Sequence, residues 1–414
     1  MEIDCIPTSL ELFSGPLQEA GVEEIFIENV LPTSGVINDS TLEFTLPSEA
    51  SHYIDLSSVR LYVRVQVTQK DGKPIEKADV KLIPLWPQAL FRQVDIYLGG
   101  KCVSSSTNTY SYRAFFETFL SYNPHVKKEL LETTEHCSGT TVKKDETYEA
   151  YSSLHLDLSG QDKLLLNSIP IKIRLLRNND DFIFQQQTTD TASYKIVIEK
   201  MSLYVRKVLP TATVLLEHAH KLATENVSYH IDRVFMKTFT LNSGVADHTI
   251  SNAYLGQLPN RLIIGMVDSK AFNGSPTKNP FHFEHFKLIH ASIVADARQV
   301  PAGGYEPDFE KGLICREYVG LLQTLLGGCL KTDSIGLTKE DFVKNGKTFL
   351  GFTLPSAIEG TSDLALPPRQ TGYINIRLRF KEALESSVTL ICYAEFDNII
   401  EVDSLRNVYT DFNA

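Results

Sequence analysis

Tyr112-Arg113-Ala114-Phe115-Phe116-Glu117-Thr118-Phe119-Leu120 recurs 206 residues later as Tyr318-Val319-Gly320-Leu321-Leu322-Gln323-Thr324-Leu325-Leu326. Both stretches read Tyr, any residue, a small residue, two apolar residues, an acid or amide, Thr, an apolar residue and Leu. Their apolar residues fall at i, i+3, i+4, i+7 and i+8, the spacing of one helical face. The flanks repeat as well. Ile96, Lys101 and Val103 before the first helix match Ile293, Arg298 and Val300 before the second, 197 residues on. Ile171, Arg174 and Leu175 match Ile374, Arg377 and Leu378, 203 residues on. Each half then closes on one long apolar segment, 194–208 or 388–401. The order is kept while the offset drifts, as changes in loop length would make it. A period near 200 residues is far above the 20–50 of solenoids and propellers. It predicts a duplicated domain with the boundary near residues 210–226.

The segments around these helices read as strands. Val59, Leu61, Val63, Val65 and Val67 alternate with Ser58, Arg60, Tyr62, Arg64 and Gln66, the period-two pattern of a half-buried strand. Leu42, Phe44 and Leu46 alternate likewise, as do Ile171, Ile173 and Leu175. Over 194–208 the apolar parity shifts from even (Ile196, Ile198) to odd (Met201, Leu203, Val205). One extra residue near Glu199-Lys200, a β-bulge, would keep all five inward. Further strands are expected over 261–267, 373–380 and 388–401, with turns at Asp71-Gly72 and Gly99-Gly100. Helices are few: the repeated pair and a connecting helix over 211–224, after Pro210. A parallel α/β fold needs a helix after nearly every strand. The pattern predicts an all-β protein instead: two tandem eight-stranded jelly-roll β-sandwiches, a double jelly roll with a few short helices in loops and linker. The expected division is an N-terminal arm over 1–26, jelly roll 1 over 27–209, a linker helix over 210–226, jelly roll 2 over 227–402 and a C-terminal tail over 403–414.

Composition agrees with a globular chain. Of 414 residues 43% are hydrophobic and 22% charged, too apolar for a disordered protein. The 40 Lys and Arg against 51 Asp and Glu leave a formal net charge of −11, which disfavours direct coating of nucleic acid. No apolar run approaches the roughly 18 residues that span a bilayer. Met1-Glu2-Ile3-Asp4-Cys5 lacks the basic start of a secretory signal, so a reducing compartment is expected. Cys5, Cys102, Cys137, Cys315, Cys329 and Cys392 are scattered without a C-x-x-C pair, and neither a disulfide framework nor a zinc site is expected.

Catalytic signatures are missing. There is no G-x-S-x-G, no H-E-x-x-H, no G-x-x-x-x-G-K-[ST] and no strand followed by G-x-G-x-x-G. The sharpest chemical cluster is Phe281-His282-Phe283-Glu284-His285-Phe286, with His290 beyond it. On a strand, His282 and Glu284 share a face and His285 points away, so one metal cannot easily take all three. Glu217-His218-Ala219-His220 falls on the linker helix, where i and i+2 do not face each other. Asp180-Asp181 and Glu23-Glu24 are sequence neighbours that point apart. Lys127-Lys128 reads as a solvated helix end and Lys143-Lys144 as a loop. Trp86, between Pro84 and Pro87, is expected to pack at a sandwich end. No residue is assigned a catalytic, cofactor-binding or metal-ligating role, and no cofactor is expected.

With these features in place, the sequence resembles the double jelly-roll major capsid proteins of Polintons (Mavericks) and adintovirus-like DNA elements. The resemblance runs through Ser9-Leu10-Glu11-Leu12-Phe13, Leu42-Glu43-Phe44, Tyr53-Ile54-Asp55-Leu56-Ser57, Leu90-Phe91-Arg92-Gln93-Val94-Asp95-Ile96-Tyr97-Leu98 and Asn108-Thr109-Tyr110-Ser111-Tyr112-Arg113-Ala114-Phe115-Phe116-Glu117-Thr118. It continues in Gln257-Leu258-Pro259-Asn260-Arg261 and Asn279-Pro280-Phe281. It departs at Leu98-Gly99-Gly100, where an Asn is usual. It implies a structural protein and not an enzyme: three chains to a pseudo-hexameric capsomer, in an icosahedral shell around double-stranded DNA. The implied partners are two further copies of the chain, neighbouring capsomers, single jelly-roll penton proteins and minor capsid proteins. The implied location is the virion capsid, assembled in the host nucleus or cytoplasm. The charge predicts little direct nucleic-acid binding. Residues 272–286 and 84–91 are expected at contacts between chains, and 1–21 as an arm ordered by a neighbour. The alternative class is a sugar-binding protein or cupin-like metal enzyme on jelly-roll domains, resting on the His282 region.

Overall fold

The computed structural model describes residues 21–33, 37–71, 80–144, 146–186, 193–325, 335–354 and 369–412. Its first half runs β1 (Val22–Val30), β2 (Thr41–Leu46), β3 (Tyr53–Gln69), β4 (Val80–Leu82), β5 (Phe91–Leu98), β6 (Lys101–Cys102), β7 (Thr140–Thr141), β8 (Thr147–Ser153), β9 (Ile171–Arg177), β10 (Phe184–Gln186) and β11 (Tyr194–Pro210). The second half runs β12 (Val227–Leu241), β13 (Asp247–Gln257), β14 (Arg261–Asp268), β15 (Leu288–Ala295), β16 (Arg298–Tyr305), β17 (Phe349–Thr353), β18 (Thr371–Phe380), β19 (Val388–Val402) and β20 (Val408–Thr410). In the first half one sheet is ordered β1-β11-β3-β8 and its partner β2-β9-β5-β6. In the second the orders are β12-β19-β14-β17 and β13-β18-β15-β16. With the short strands β4, β7, β10 and β20 set aside, the two orders are identical. Each is an eight-stranded jelly roll.

Short helices fill the connections: α1 (Trp86–Ala89), α2 (Tyr110–Ser121), α3 (Pro124–Val126), α4 (Glu132–Glu135), α5 (Asp180–Ile183), α6 (Ala212–Leu222), α7 (Ser269–Phe272), α8 (Cys315–Leu325) and α9 (Lys339–Val343). The repeated helices, α2 and α8, occupy the same connection, from the fifth strand of a roll to its sixth. The matched flanks are the fourth and fifth strands (β5 and β6, β15 and β16) and the seventh (β9, β18). In β11 the register against β3 slips between Ile198 and Lys200, so Glu199 is the extra residue of a bulge. Ile196, Ile198, Met201, Leu203 and Val205 are all buried as a result. Gly99 and Gly100 take positive φ, 57° and 85°, in the tight β5–β6 turn. Gly72 lies outside the described residues.

Both chain ends depart from expectation. The sheet begins at Val22, inside the stretch read as an arm, and residues 1–20 lie outside the described residues. The pairing of β1 shifts between Val22 and Glu24, which hides its alternation. Of the stretch read as a tail, 403–414, the described part, 403–412, is bound to the sheet. Asp403 accepts from the backbone N–H of Leu405 and Asn407 to turn the chain, and β20 then pairs with β19. Asp411 accepts from the Ile399 N–H at 2.9 Å.

The cores are not separate. Tyr229, Ile231, Ile400, Val402 and Val408 of the second half pack in the core of the first. Leu85, Tyr112, Phe115, Phe116, Leu120 and Phe182 of the first half pack in the core of the second. This exchange creates a junction between the two rolls.

Candidate functional site

Helix α2 builds the junction. It ends at Tyr122-Asn123 because the residue before Pro124 is pushed into extended backbone. Its apolar stripe lies on the outward face of the sheet β12-β19-β14-β17. The Phe116 ring stacks on Tyr393 at 5.7 Å and meets Phe349 edge-on at 5.2 Å. Phe115 stacks on Phe281 at 4.6 Å. Tyr112 stacks on Phe272 at 5.3 Å. Gly265 on β14 leaves room for this stack, since a Cβ there would lie 2.6 Å from Phe283. Each fully buried Phe is worth about 1.5–3 kcal/mol in transfer alone, before the added gain of aromatic pairing.

A charged layer flanks the rings. Arg113 pairs with Glu117 one turn on and with Asp157, both at 2.7 Å. His155 Nδ1 meets the other Glu117 oxygen at 2.7 Å. Asp157 also accepts from the backbone N–H of Val234 on β12, so one carboxylate ties the two rolls together. Burial opposes charge on Glu117, but Arg113 and His155 outweigh it and bring its carboxyl down to about 2. Burial pushes Asp157 upward, with Arg113 countering only part of the rise. Arg261 and Glu395 form a bidentate pair on the same outward face, with contacts of 2.5 and 2.7 Å.

Lys127 is not the solvated residue its sequence suggested. It lies where α3 runs into the π-helical turn Lys127–Leu131. Its ammonium donates to the Phe119 carbonyl, which α2 leaves unpaired, and to the Ile335 carbonyl of the second roll at 2.8 Å. It also stands 4.5 Å over the Phe119 ring. Burial, reinforced by Lys347, lowers it to about 8. A basic doublet carries no signal for such a contact, because the partners are backbone carbonyls.

The other candidates are placed apart. Residues 281–286 form a loop with a single bridge, Phe283 to Lys347, and not a strand. His282 pairs with Glu284 at 3.3 Å, while His285 stacks on Phe309 at 4.1 Å and is lowered by burial. His290 sits on β15 and contacts Ser292 at 3.2 Å. An open cleft of about 530 Å³ beside His282 is edged by groups already paired: Lys278 with Asp268, and Lys287 with Glu382. Among the described residues, no three His, Cys, Asp or Glu side chains are grouped to hold one metal ion. His218 stacks on Tyr53 and shares a 2.8 Å hydrogen bond with its hydroxyl, fastening the linker helix to β3. Asp180 and Asp181 turn to different partners, Arg177 and Lys70. Glu23 and Glu24 are exposed at the start of β1. Lys143 is exposed beside Glu146. Trp86 is fully buried in the core of the first roll. Residues 272–286 and 84–91 supply rings and turns beneath α2 within one chain.

Known proteins share this architecture. No family model matches the sequence. An uncharacterized protein of Caenorhabditis elegans is 25% identical over 392 residues, which are 89% of this chain and 93% of that protein. A chain of the Sputnik virophage, solved by cryo-EM, superposes with a TM-score of 0.62 at 12% identity, over 99% of this chain and 93% of that one. A chain of the PBCV-1 virus capsid gives 0.60 at 11% identity, over 97% and 100%. The mavirus major capsid protein gives 0.53 at 9% identity, over 99% and 96%. The chain has the double jelly-roll fold of these capsid proteins.

Proposed function

We propose that this chain is a major capsid protein. The observation that carries the proposal is the identity of strand order in two rolls that consume nearly the whole described chain and are locked into one body by α2. Two like sandwiches per chain make three chains a ring of six near-equivalent units, a closed arrangement that suits a shell. The finer reading is a pseudo-hexameric homotrimer in an icosahedral shell around double-stranded DNA, of the kind the Polinton and adintovirus resemblance implies. Single jelly-roll pentons and minor capsid proteins complete it. The two rolls, divided near the linker α6, are its building blocks, and its site is the virion. The role is structural, not enzymatic. The net charge of −11 favours weak contact with DNA, leaving genome neutralisation to other components.

The test is the mass of the full chain in solution, by size-exclusion chromatography with light scattering. A trimer or a larger particle is expected. A stable monomer at micromolar concentration would overturn the proposal.

A further inference from the structure

The two rolls present the same sheet face, but among the described residues only that of roll 2 is fully covered. Register makes the comparison residue by residue. Arg60 on β3 stands opposite Tyr204 and Ser153, as Arg261 on β14 stands opposite Glu395 and Thr353. Two residues along, Tyr62 faces Ser202 and Tyr151 where Ile263 faces Tyr393 and Gly351. On the flanking strand, Asn29 faces Tyr204 where Val234 faces Glu395, so Leu31 corresponds to Met236.

In roll 2 this face is closed. Ile263, Tyr393 and Met236 are buried beneath α2 and its surroundings, which belong to roll 1. In roll 1 the same face is partly open: Leu31 is 62% exposed where Met236 is 3%, Tyr62 is half-buried where Ile263 is buried, and Tyr151 beside it is 40% exposed, while Ser202, in the place of Tyr393, is buried. Ile25 and Ile27 extend the bare apolar face along β1, at 56% and 63%. Ser202 forms its buried floor, below Tyr62. Helix α8 is the counterpart of α2. It rests on its own sheet through Leu321, which a Cβ at Gly351 would strike. Its Val319 is 38% exposed, and Leu322, packed in part against its own roll's core, is half-buried.

We infer that the outward face of β1-β11-β3-β8 is the seat of helix α8 from a second copy of this chain, repeating between chains the contact that α2 makes within one. The occupant follows from the duplication: the helix that covers this face in roll 2 comes from the preceding roll, and the preceding roll for roll 1 is roll 2 of another copy. Val319 and Leu322 take the positions of Arg113 and Phe116. Leu322 then lies over Ser202, between Tyr62 and Tyr204. The contact is head-to-tail, and three such contacts related by a threefold rotation close into a ring. The inference rests on the self-assembling subunit proposed above and names its interface.

The test puts a photo-crosslinking phenylalanine analogue at Tyr151 of the full chain. In parallel, the mass of Leu31→Lys/Tyr151→Asp is measured against Leu255→Asp, a control at an exposed site on roll 2. The expected results are an interchain cross-link to residues 315–325, a monomeric double variant and an unchanged control. An oligomeric wild type that cross-links elsewhere, or a double variant that keeps its mass, overturns this inference and leaves the capsid reading standing. A monomeric wild type overturns both. The cross-link needs no destabilising substitution, so misfolding of the double variant cannot decide the outcome.

Discussion

Arg113 stands between two carboxylates, Glu117 and Asp157, the first of which also meets His155. Replacing it with Met keeps the length of the side chain, leaves the buried Asp157 without its guanidinium and leaves Glu117 to His155. The loss should be about 3–5 kcal/mol, read from the shift in urea midpoint. A loss under 1 kcal/mol would show that water already reaches the pair. Glu117 gives the pH sign. Its folded carboxyl sits at about 2, below the usual carboxylate range, so its stabilising contribution is full above that range and declines as pH falls toward 2. Glu117→Gln should therefore narrow the gap to wild type as pH drops from 5 to 2, in urea titrations at fixed ionic strength. A gap that widens on acidification would refute the assignment. None of this was legible in sequence. Arg113 and Glu117 are four apart on a helix and read as a surface pair, while Asp157 and His155 enter only through the fold. Lys127 was misread for a related reason, since its partners are carbonyls.

Strands and their faces were the legible part. Alternation located β2, β3, β9 and β11, and parity alone located the bulge at Glu199. The bulge makes a sharp contrast between two deletions. Removing Glu199 leaves Ile198, Lys200 and Met201 in plain alternation, so β11 loses its kink and keeps its inward residues. Removing Val63 from β3 flips every later residue of that strand to the opposite face. Thermal melts should find the Glu199 deletion folded and within a few degrees of wild type, and the Val63 deletion unfolded. Equal damage from both would mean that the bulge is needed for its shape, not its register. Edges were less legible than centres. β1 opens with Glu23-Glu24 and a register shift, and β20 is three residues reached through a turn built by Asp403, so neither leaves a periodic trace. The stripe on α2 announced a helix with an apolar face. A stripe does not say which core it will enter, and this one enters the neighbouring roll.

The two rolls are one cooperative unit because each completes the other's core. The full chain should unfold in a single transition whose calorimetric and van't Hoff enthalpies agree. Two resolved transitions would mean that the rolls are independent bodies touching at a seam. Residues 227–412 expressed alone should be insoluble or loosely folded, since Tyr393, Phe349 and Ile263 would face water. Duplication was visible from sequence as an ordered set of matches, and the whole-chain topology followed from it. What the repeat hides is asymmetry within one chain: α2 reaches across to the other roll, while α8 rests on its own. The forward reach of α2 also imposes a timetable on biosynthesis. Phe116 leaves the ribosome 277 residues before Tyr393. At roughly 5–20 residues per second, its ring waits on the order of 15–55 s for the surface that shelters it. During that interval the nascent first roll carries a naked aromatic ridge, the kind of feature that holdase chaperones shield. Slowing elongation between these points should cost soluble yield, and the same chain with Phe115 and Phe116 replaced should lose that sensitivity to tempo.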